Sequence, residues 1–356
     1  MSMVNESTEP PTASNSVGTV VNAVASVMLV IMTIIVGMRL WGRFRYKSPG
    51  NSMKASYGES RFWILMSDLT ILVAYLSAIA LSIAQFNYVT WGLGLHVSQL
   101  SIYQLVQAMK AFFAYQIIYK ICSGLAKIAS LFLLLAISTP NMHGFNLFCK
   151  MFATYIGLYS ISTTLVTVFQ CGTNFASNWN RSLDQSHCFY QPPFWYAHGV
   201  INLTASFVMA FLPWWLFATI TYKRKRTIAS IMSFLALAET ALGAVRLFGL
   251  VKAAASSSDI TFSSYIGLPV SQLEVDFATI AACIPTVLRL LAEAWRLFNT
   301  RVLGRTATYS SQRTGSNNVQ TDSVHLSGLK SIDRGHQPSG PYTAFDKDDE
   351  ERSMES

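Results

Sequence analysis

The chain has 356 residues, of which 51% are hydrophobic and 12% are charged. Soluble domains carry about 25% charged residues, so this composition excludes an ordinary water-soluble protein and favours a membrane protein. The formal net charge of +8 comes mainly from short segments between apolar stretches, where basic residues set membrane topology and face anionic lipid. We therefore expect no nucleic-acid partner.

Seven apolar stretches follow one another along the chain. A helix rises 1.5 Å per residue, so about 20 apolar residues cross about 30 Å of hydrocarbon. The stretches comprise residues 18–41, 62–86, 112–137, 146–170, 193–221, 227–251 and 269–295. They predict an all-α fold, a polytopic bundle of seven transmembrane helices, and hence an integral multi-pass protein of the plasma membrane or an internal membrane, with the lipid bilayer as a partner.

Basic residues fall mainly on alternate sides of these stretches. The larger group surrounds the ends of the first, fifth and seventh stretches: Arg39, Arg43, Arg45, Lys47, Lys54, Arg61, Lys223, Arg224, Lys225, Arg226, Arg296, Arg301 and Arg305. The opposite segments hold little beyond Lys110, Arg181 and Lys252. Because cytoplasmic loops carry the positive excess, we expect the N-terminus outside or in a lumen and the C-terminus in the cytosol.

The two ends of the chain differ from the middle. Residues 1–17 contain no Lys or Arg, so they lack the basic region of a cleaved signal peptide, and the first stretch is predicted to be an uncleaved anchor. The seven-helix domain is predicted over residues 18–298. Residues 299–356 are polar and without apolar periodicity, which predicts a disordered cytosolic tail. Phosphorylation there would create a site for a cytosolic signalling partner, although an unregulated tail has the same composition.

Five cysteines are sorted by the predicted topology. Cys171, at the outer end of the fourth stretch, and Cys188, in the following loop, face the oxidising side, so we predict a disulfide that stabilises this loop by roughly 3 kcal/mol. Pairing of Cys188 with Cys122 is the alternative, and it requires Cys122 to lie near the outer surface of the membrane.

Three Asn-x-Ser/Thr sequons occur, at Asn5, Asn180 and Asn202. The predicted topology places Asn5 and Asn180 outside, where they can carry glycans. Asn202 lies inside the fifth stretch, where the oligosaccharide transfer machinery has no access. We therefore predict a glycoprotein modified at Asn5 and Asn180.

Ionisable side chains inside the stretches are the candidates for function, because a charge at bilayer depth costs a few kcal/mol unless it is paired or faces a cavity. The candidates are Asp68, Lys120, Lys127, Glu239, Arg246, Glu274 and Asp276. Matching their depths predicts that Asp68 pairs with Lys127 near the inner side, and that Arg246 pairs with Glu274 or Asp276 near the outer side.

Two further polar residues add to this set, and one carboxylate of the set has no assigned partner. Glu239 is left near the middle of the membrane, and His198 and Asn202 lie one turn apart on the fifth stretch, where both can face the interior. One interpretation is a polar pocket that opens outward and binds a small hydrophobic molecule. A second is an ion-pair network that only fixes helix packing. In a third, Glu239 or Asp276 acts as a catalytic acid or base.

Several enzyme and cofactor signatures are missing from the sequence. The six histidines do not form the clustered spacing of a di-iron site, and neither an Asp-rich motif nor a Gly-rich phosphate-binding loop occurs. Residues 269–295 contain no lysine, so a retinal Schiff base of the usual rhodopsin kind has no attachment point. We expect neither a metal nor a cofactor.

Four short segments carry a family resemblance. They read Trp-Gly-Leu-Gly-Leu-His at 91–96, Lys-Ile-Ala-Ser-Leu at 127–131, Phe-Gln-Cys at 169–171 with Trp179 and Cys188 beyond, and Cys-Ile-Pro at 283–285. In these segments the chain resembles the fungal rhodopsin-like integral membrane family, which includes the satratoxin-cluster membrane protein and fungal receptor-like seven-helix proteins. The resemblance implies seven helices and a fungal source, and many relatives lie beside secondary-metabolite genes.

The chain also departs from that family's pattern, and three functions stay open. A single acidic residue, Asp68, stands where paired acidic residues are common, and residues 202–206 replace an acidic position of the fifth span. The first function is an accessory or sensing component of a secondary-metabolite pathway. The second is a G-protein-coupled receptor-like sensor of an external small molecule. The third is an intramembrane cyclase or isomerase that uses Glu239 or Asp276.

Overall fold

Eight helices run through the computed structural model, which describes residues 9–11, 16–45, 58–139, 141–180, 183–184, 186–218, 223–255 and 259–314. They are α1 (Ser16–Arg45), α2 (Gly58–Thr90), α3 (Ile102–Ile137), α4 (His143–Val168), α5 (Pro192–Ala218), α6 (Lys223–Ala255), α7 (Ile260–Ser263) and α8 (Gly267–Thr314). Within these ranges no strand occurs, and seven helical segments are long and apolar enough to cross a membrane. The predicted seven-span all-α fold is confirmed.

Helices extend beyond the apolar stretches wherever polar residues favour further turns. α3 begins at Ile102, ten residues before the predicted span, because Ser101 and Gln104 form a capping box: the Ser101 Oγ accepts from the Gln104 N–H at 3.2 Å, and the Gln104 Oε1 accepts from the Ser101 N–H at 2.9 Å. The chain divides into residues 1–298 and 299–356. Of the second part, the described residues 299–314 are helical, where the sequence predicted no regular structure.

Small side chains let the central helices approach each other. α2 packs along α3 and α5 along α6, while α4 packs on α3 and α1 on α2. Ala74 and Ala78 on α2 and Ala126 on α3 are fully buried, and such residues permit close backbone contact in a bilayer. Large apolar side chains such as Leu158 and Phe234 are instead exposed, as expected for surfaces that face lipid.

The loop between α4 and α5 contains the predicted disulfide. Cys171 and Cys188 are joined by an S–S bond of 2.02 Å, which confirms the local pairing. The alternative partner, Cys122, is fully buried in α3, where its thiol donates to the Ala74 carbonyl of α2 at 3.3 Å. This loop marks one end of the bundle, which we call the disulfide end; the opposite end, where α5 leads into the basic start of α6, is the basic end.

Two glycines shape the loop between α2 and α3, also at the disulfide end. Gly92 and Gly94 have φ values of 124° and 87°, in the left-handed region that other residues rarely adopt. Their turn brings the Gly94 N–H to the Thr261 carbonyl at 3.0 Å, and the Thr261 hydroxyl donates to the Leu95 carbonyl at 2.7 Å. The loop is therefore fixed to α7, immediately before α8.

Asp259 makes a second attachment between this loop and α7. Its carboxylate accepts from the Val97 N–H at 2.9 Å and pairs with His96, whose ring stacks on Phe262 with 4.1 Å between centroids. Partial burial alone would raise the pKa of Asp259, but the two hydrogen bonds hold it below its ordinary value. The carboxylate therefore stays charged and holds the start of the last span in place.

The orientation of the bundle can be tested at Asn180, which lies in the disulfide loop. We propose that the disulfide end faces the outside or a lumen, so Asn180→Gln should remove one glycosidase-sensitive shift in gel mobility when the protein is expressed in a fungal host. Asn202→Gln is the matched control, since Asn202 is buried in α5. Glycosidase should shift the band of this variant as much as it shifts the band of the wild-type protein. An unchanged shift for Asn180→Gln would contradict the proposed orientation.

Candidate functional site

A cavity of about 60 Å³ lies among α3, α5, α6 and the start of α8. It is partly open, and much of its wall is apolar, formed by Phe112, Trp195, Leu250, Ala253 and Leu268. Trp195 stands near the first residue of α5 and Ala253 near the last of α6, so the cavity belongs to the disulfide end of the bundle. That end is the one on which the sequence predicted an outward-opening pocket.

Polar side chains occupy the rest of the wall. Lys120 and Arg246 supply two cations, His198 an imidazole, and Tyr115 and Tyr119 two hydroxyls. All five side chains are buried. An apolar cavity with a few convergent polar groups is the usual form of a small-molecule site, so this cavity is the candidate functional site.

Lys120 is a buried cation without an anionic partner. The residue is 5% exposed, and its Nζ lies 5.6 Å from the centre of the Phe194 ring. Among the residues that the structure describes, no carboxylate lies within ion-pair distance of this ammonium. Contact with an aromatic face compensates only part of the lost hydration of an ammonium group. Lys120 is thus a cation of the cavity wall that lacks a carboxylate partner among the described residues.

His198 lines the same cavity, and one nitrogen of its ring makes no hydrogen bond to the described residues. The Tyr159 hydroxyl lies 2.9 Å from the His198 carbonyl and 2.5 Å from its Nδ1. Since a carbonyl only accepts, the Tyr159 hydroxyl donates to it, and the Nδ1–H then donates to the Tyr159 oxygen. In the neutral ring this leaves Nε2 as an acceptor, and Nε2 is buried without a hydrogen-bond partner in the described part of the chain.

Arg246 connects the cavity to a carboxylate beneath it. Its Nε lies 3.0 Å from Glu274 Oε2, and its guanidinium lies 4.9 Å from the centre of the Tyr119 ring. Glu274 also accepts from the Tyr119 hydroxyl at 3.0 Å and from Asn202 Nδ2 at 2.6 Å. The sequence predicted Arg246 with Glu274 or Asp276, and the structure selects Glu274. Arg246 Nη2 has no hydrogen-bond partner among the described residues.

Lys127 continues this network into the bundle. Its Nζ lies 3.0 Å from Glu239 Oε1 and 4.0 Å from Glu274 Oε1, and it donates to Ser123 Oγ at 3.1 Å. Ser206 donates to the same Glu239 oxygen at 3.0 Å. Two cations, Lys127 and Arg246, thus balance two carboxylates, and the network joins α3, α5, α6 and α8. The sequence analysis assigned Glu239 no partner, and in the structure its partner is Lys127.

Asp68 belongs to a different cluster from Lys127, so the predicted pair was wrong. Arg39 of α1 donates to Asp68 Oδ1 from Nε at 3.0 Å and from Nη2 at 2.8 Å. It also donates to Ser67 Oγ at 2.9 Å and to the Ala282 carbonyl of α8 at 2.5 Å. Depth was matched correctly, but Lys127 lies on the face of α3 turned toward α5 and α6, whereas Asp68 lies toward α1.

Asp276 lies apart from both clusters. It is fully buried, and its Oδ1 accepts from Gln272 Nε2 one turn earlier at 3.0 Å, while Oδ2 has no hydrogen-bond partner in the described ranges. Neither Asp276 nor Glu239, the two carboxylates considered for catalysis, is among the residues that line the cavity. No group of three or more His, Cys, Asp and Glu side chains in the described part of the chain is arranged to hold a metal ion.

Three of the predicted site residues line the cavity: Lys120, His198 and Arg246. Asn202 and Glu274 lie directly below it, bonded to Tyr119. The prediction considered only ionisable and amide groups, and it therefore missed the tyrosines of α3. A usable signal was present, because Tyr115 and Tyr119 are one helical turn apart and therefore lie on one face of α3.

Fold and site together define a seven-helix integral membrane protein with a polar cavity between its helices. The fungal rhodopsin domain matches residues 58–293, from the first residue of α2 into α8, and the chain belongs to that family. No curated protein and no solved structure matches the chain. α8 contains no lysine from Gly267 to Thr314.

Proposed function

We propose that this protein is a non-catalytic accessory or sensing component of a fungal secondary-metabolite pathway, and that it binds a small molecule in the cavity. The observation that carries the proposal is the cavity wall, where Lys120 has no carboxylate within ion-pair distance and the buried His198 Nε2 has no hydrogen-bond partner among the described residues. Unpaired polar groups at bilayer depth are costly, and they mark binding sites more often than packing contacts. The pathway itself is proposed from the family resemblance.

The position of the carboxylates favours sensing over catalysis. An acid or base must come within about 3 Å of the proton that it transfers. Glu239 is engaged by Lys127 at 3.0 Å and by Ser206 at 3.0 Å, below the cavity rather than in its wall. Asp276 is separated from the cavity as well. A ligand in the cavity would meet cations, an imidazole and aromatic rings before it met a carboxylate.

The contacts below the cavity supply a route by which binding can affect the bundle. Arg246 lines the cavity and contacts Glu274. Lys127 in turn contacts both Glu274 and Glu239. A ligand that recruits the Arg246 guanidinium would weaken its contact with Glu274 and thereby shift the balance among four helices. A ligand shifts an equilibrium between two conformations of the bundle only as far as its affinities for them differ. A charged side chain in the cavity wall is a contact whose strength can differ between the two conformations.

A G-protein-coupled receptor-like role is a second candidate, favoured by one observation at the other end of α8. Arg39 donates to the Ala282 carbonyl three residues before Pro285, where a proline removes a backbone hydrogen bond and permits the helix to bend. A change in the bend of α8 would therefore act directly on Arg39 and α1. Both candidate functions require ligand binding in the same cavity. They differ in the cytosolic partner that would respond to the conformational change.

Filling the cavity tests the proposed function. Ala253 is buried in the cavity wall, so Ala253→Phe places a ring where the ligand would bind, whereas Ala255→Phe adds the same ring at an exposed position two residues later. A gene-deletion strain should lose a whole family of related metabolites together. Complementation with Ala255→Phe should restore them, and complementation with Ala253→Phe should leave them at the level of the deletion strain, as measured by untargeted metabolite profiling.

Two results would contradict the proposal. Accumulation of one discrete precursor in the deletion strain would indicate a missing enzymatic step, and its appearance with Glu239→Gln at normal protein level would locate the catalyst. Full restoration of the metabolites by Ala253→Phe would show that the cavity has no part in the function. Protein levels in membranes should be compared for all variants, so that a loss of folding is distinguished from a loss of binding.

A further inference from the structure

We propose that the ligand of this cavity is an apolar organic acid, whose carboxylate pairs with Lys120 and whose hydroxyl group donates to Nε2 of His198. This inference rests on the proposed function, since it names the chemical class of the small molecule. It follows from three properties of the cavity: a lysine with no carboxylate within ion-pair distance, a His198 Nε2 that has no donor among the described residues, and the shape of the apolar wall.

The position of Lys120 favours an anionic ligand. Arg246 and Lys127 are neutralised by Glu274 and Glu239 through contacts of 3.0 Å each, and Lys120 is left over. Asp276 engages Gln272. A monoanion would supply the partner that the Lys120 ammonium lacks among the described residues, whereas a neutral ligand would leave the ammonium unpaired and a dianion would leave a buried negative charge. Arg246 Nη2, also without a hydrogen-bond partner, is available as a second donor to the same carboxylate.

The free nitrogen of His198 requires a donor. Its Nδ1–H is used by Tyr159, so Nε2 can only accept while the ring is neutral. Lys120 and Arg246 line the same cavity, and a third positive charge beside them would be unfavourable. A carboxylate offers no hydrogen to Nε2. A hydroxyl on the ligand satisfies it, and an acid that lacks the hydroxyl leaves a buried acceptor unpaired.

The size of the cavity restricts which part of the ligand it holds. At about 60 Å³ it accommodates a carboxylate and a neighbouring hydroxyl, whereas pockets for whole drug-sized ligands measure about 300–1,000 Å³. The remainder of the molecule must lie toward the open side, against Phe112 and Trp195, whose rings meet edge to face with centroids 6.4 Å apart. An aromatic or other flat apolar body suits that surface. A compact hydroxy acid attached to such a body meets all three conditions.

Three probes test these conditions on the purified full-length protein in nanodiscs. Mandelate carries an aromatic ring, a carboxylate and an adjacent hydroxyl; phenylacetate lacks the hydroxyl; mandelamide lacks the charge. Dissociation constants can be measured by saturation-transfer NMR titration. We expect mandelate to bind at least about tenfold more tightly than mandelamide, because its charge is paired, and about two- to tenfold more tightly than phenylacetate.

Single substitutions test which residue causes each binding preference. Lys120→Met should weaken mandelate binding at least about tenfold while changing mandelamide binding less than about twofold. Lys120→Arg should retain the preference for the acid, and it also guards against misfolding of the methionine variant. Lys252→Met removes an exposed lysine near the same end of α6 and should behave as the unmodified protein. His198→Phe should abolish the preference of mandelate over phenylacetate.

The outcomes separate this inference from the proposed function. Equal binding of mandelate and mandelamide, with both abolished by Ala253→Phe, would overturn the acid assignment and leave the sensing function standing. If none of the three probes bound, the assignment would also be overturned. If Ala253→Phe in addition restored the metabolites of the deletion strain, the proposed function would fall with it. Loss of acid binding in Lys252→Met as large as in Lys120→Met would show that general surface charge, and not the cavity, attracts the acids.

Discussion

Replacing Lys127 with Met should lower the free energy of unfolding by about 3–5 kcal/mol, because it leaves the buried carboxylate of Glu239 without its cation. Lys127 is 2% exposed and Glu239 is 4% exposed, so water cannot take over the role of the lost ammonium. Ser206 alone would remain bonded to Glu239. The change can be measured by equilibrium unfolding in mixed detergent micelles, with the fraction folded followed by tryptophan fluorescence.

The double variant Lys127→Met with Glu239→Leu provides the control for this prediction. Removing both charges leaves no isolated ion, so the double variant should be more stable than Lys127→Met alone, even though it has lost more contacts. Lys110→Met, which removes an exposed lysine of α3, should change the free energy by less than about 0.5 kcal/mol. A double variant less stable than the single one would show that Lys127 acts through something other than this pair.

Replacing Arg39 with Met should have an effect of similar size, about 3–5 kcal/mol, for a different reason. Arg39 is completely buried and joins three helices through Asp68, Ser67 and the Ala282 carbonyl. Its loss removes the contacts of the guanidinium with the Asp68 carboxylate, which is 15% exposed, and with the buried Ser67 hydroxyl and Ala282 carbonyl. Unfolding in mixed micelles measures this change as well, and proteolysis of intact membranes reports any opening between α1 and α8.

The conservative variant Arg39→Lys distinguishes charge from geometry at the same position. One ammonium keeps the charge but cannot reach Asp68, Ser67 and Ala282 together, as the planar guanidinium does. We expect Arg39→Lys to recover less than half of the stability lost in Arg39→Met. If Arg39→Met cost less than about 1 kcal/mol, the buried cluster would be of no structural importance, contrary to the geometry.

The features predicted correctly from sequence are those that the bilayer itself dictates. Hydrocarbon thickness fixes the length of each span, so seven spans could be recognised from composition alone. Topology then assigned Cys171 and Cys188 to one loop, and the disulfide is present there. These deductions need one coordinate only, the position of a residue along the membrane normal.

Interhelical pairs need a second coordinate, the direction in which a side chain points, and a single sequence fixes it poorly. Asp68 and Lys127 have matching depths but lie on faces turned away from each other. Arg39 was grouped with the topology-setting residues at the end of the first span, although it is completely buried. The predicted cavity was similarly incomplete, since its polar wall includes Tyr115 and Tyr119, which hydropathy and charge do not distinguish from lipid-facing aromatics.

α8 is the element that the two clusters share. Ser271 lines the cavity, Glu274 holds Arg246, and Ala282 receives Arg39, all within about three turns of one helix. The same helix contains Pro285 just beyond Ala282. Contiguous contacts therefore run along α8 from the cavity wall at the disulfide end to the Arg39 cluster near the basic end.

The most direct measurement of the central claim is to identify the small molecules that copurify with the protein from membranes of its own fungal host, by mass spectrometry in negative-ion mode. An organic acid should be present in near-stoichiometric amount with the unmodified protein and with the controls Ala255→Phe and Lys252→Met, and it should be absent from Ala253→Phe and Lys120→Met. Equal recovery of the same compounds from all five proteins would contradict a ligand site in this cavity.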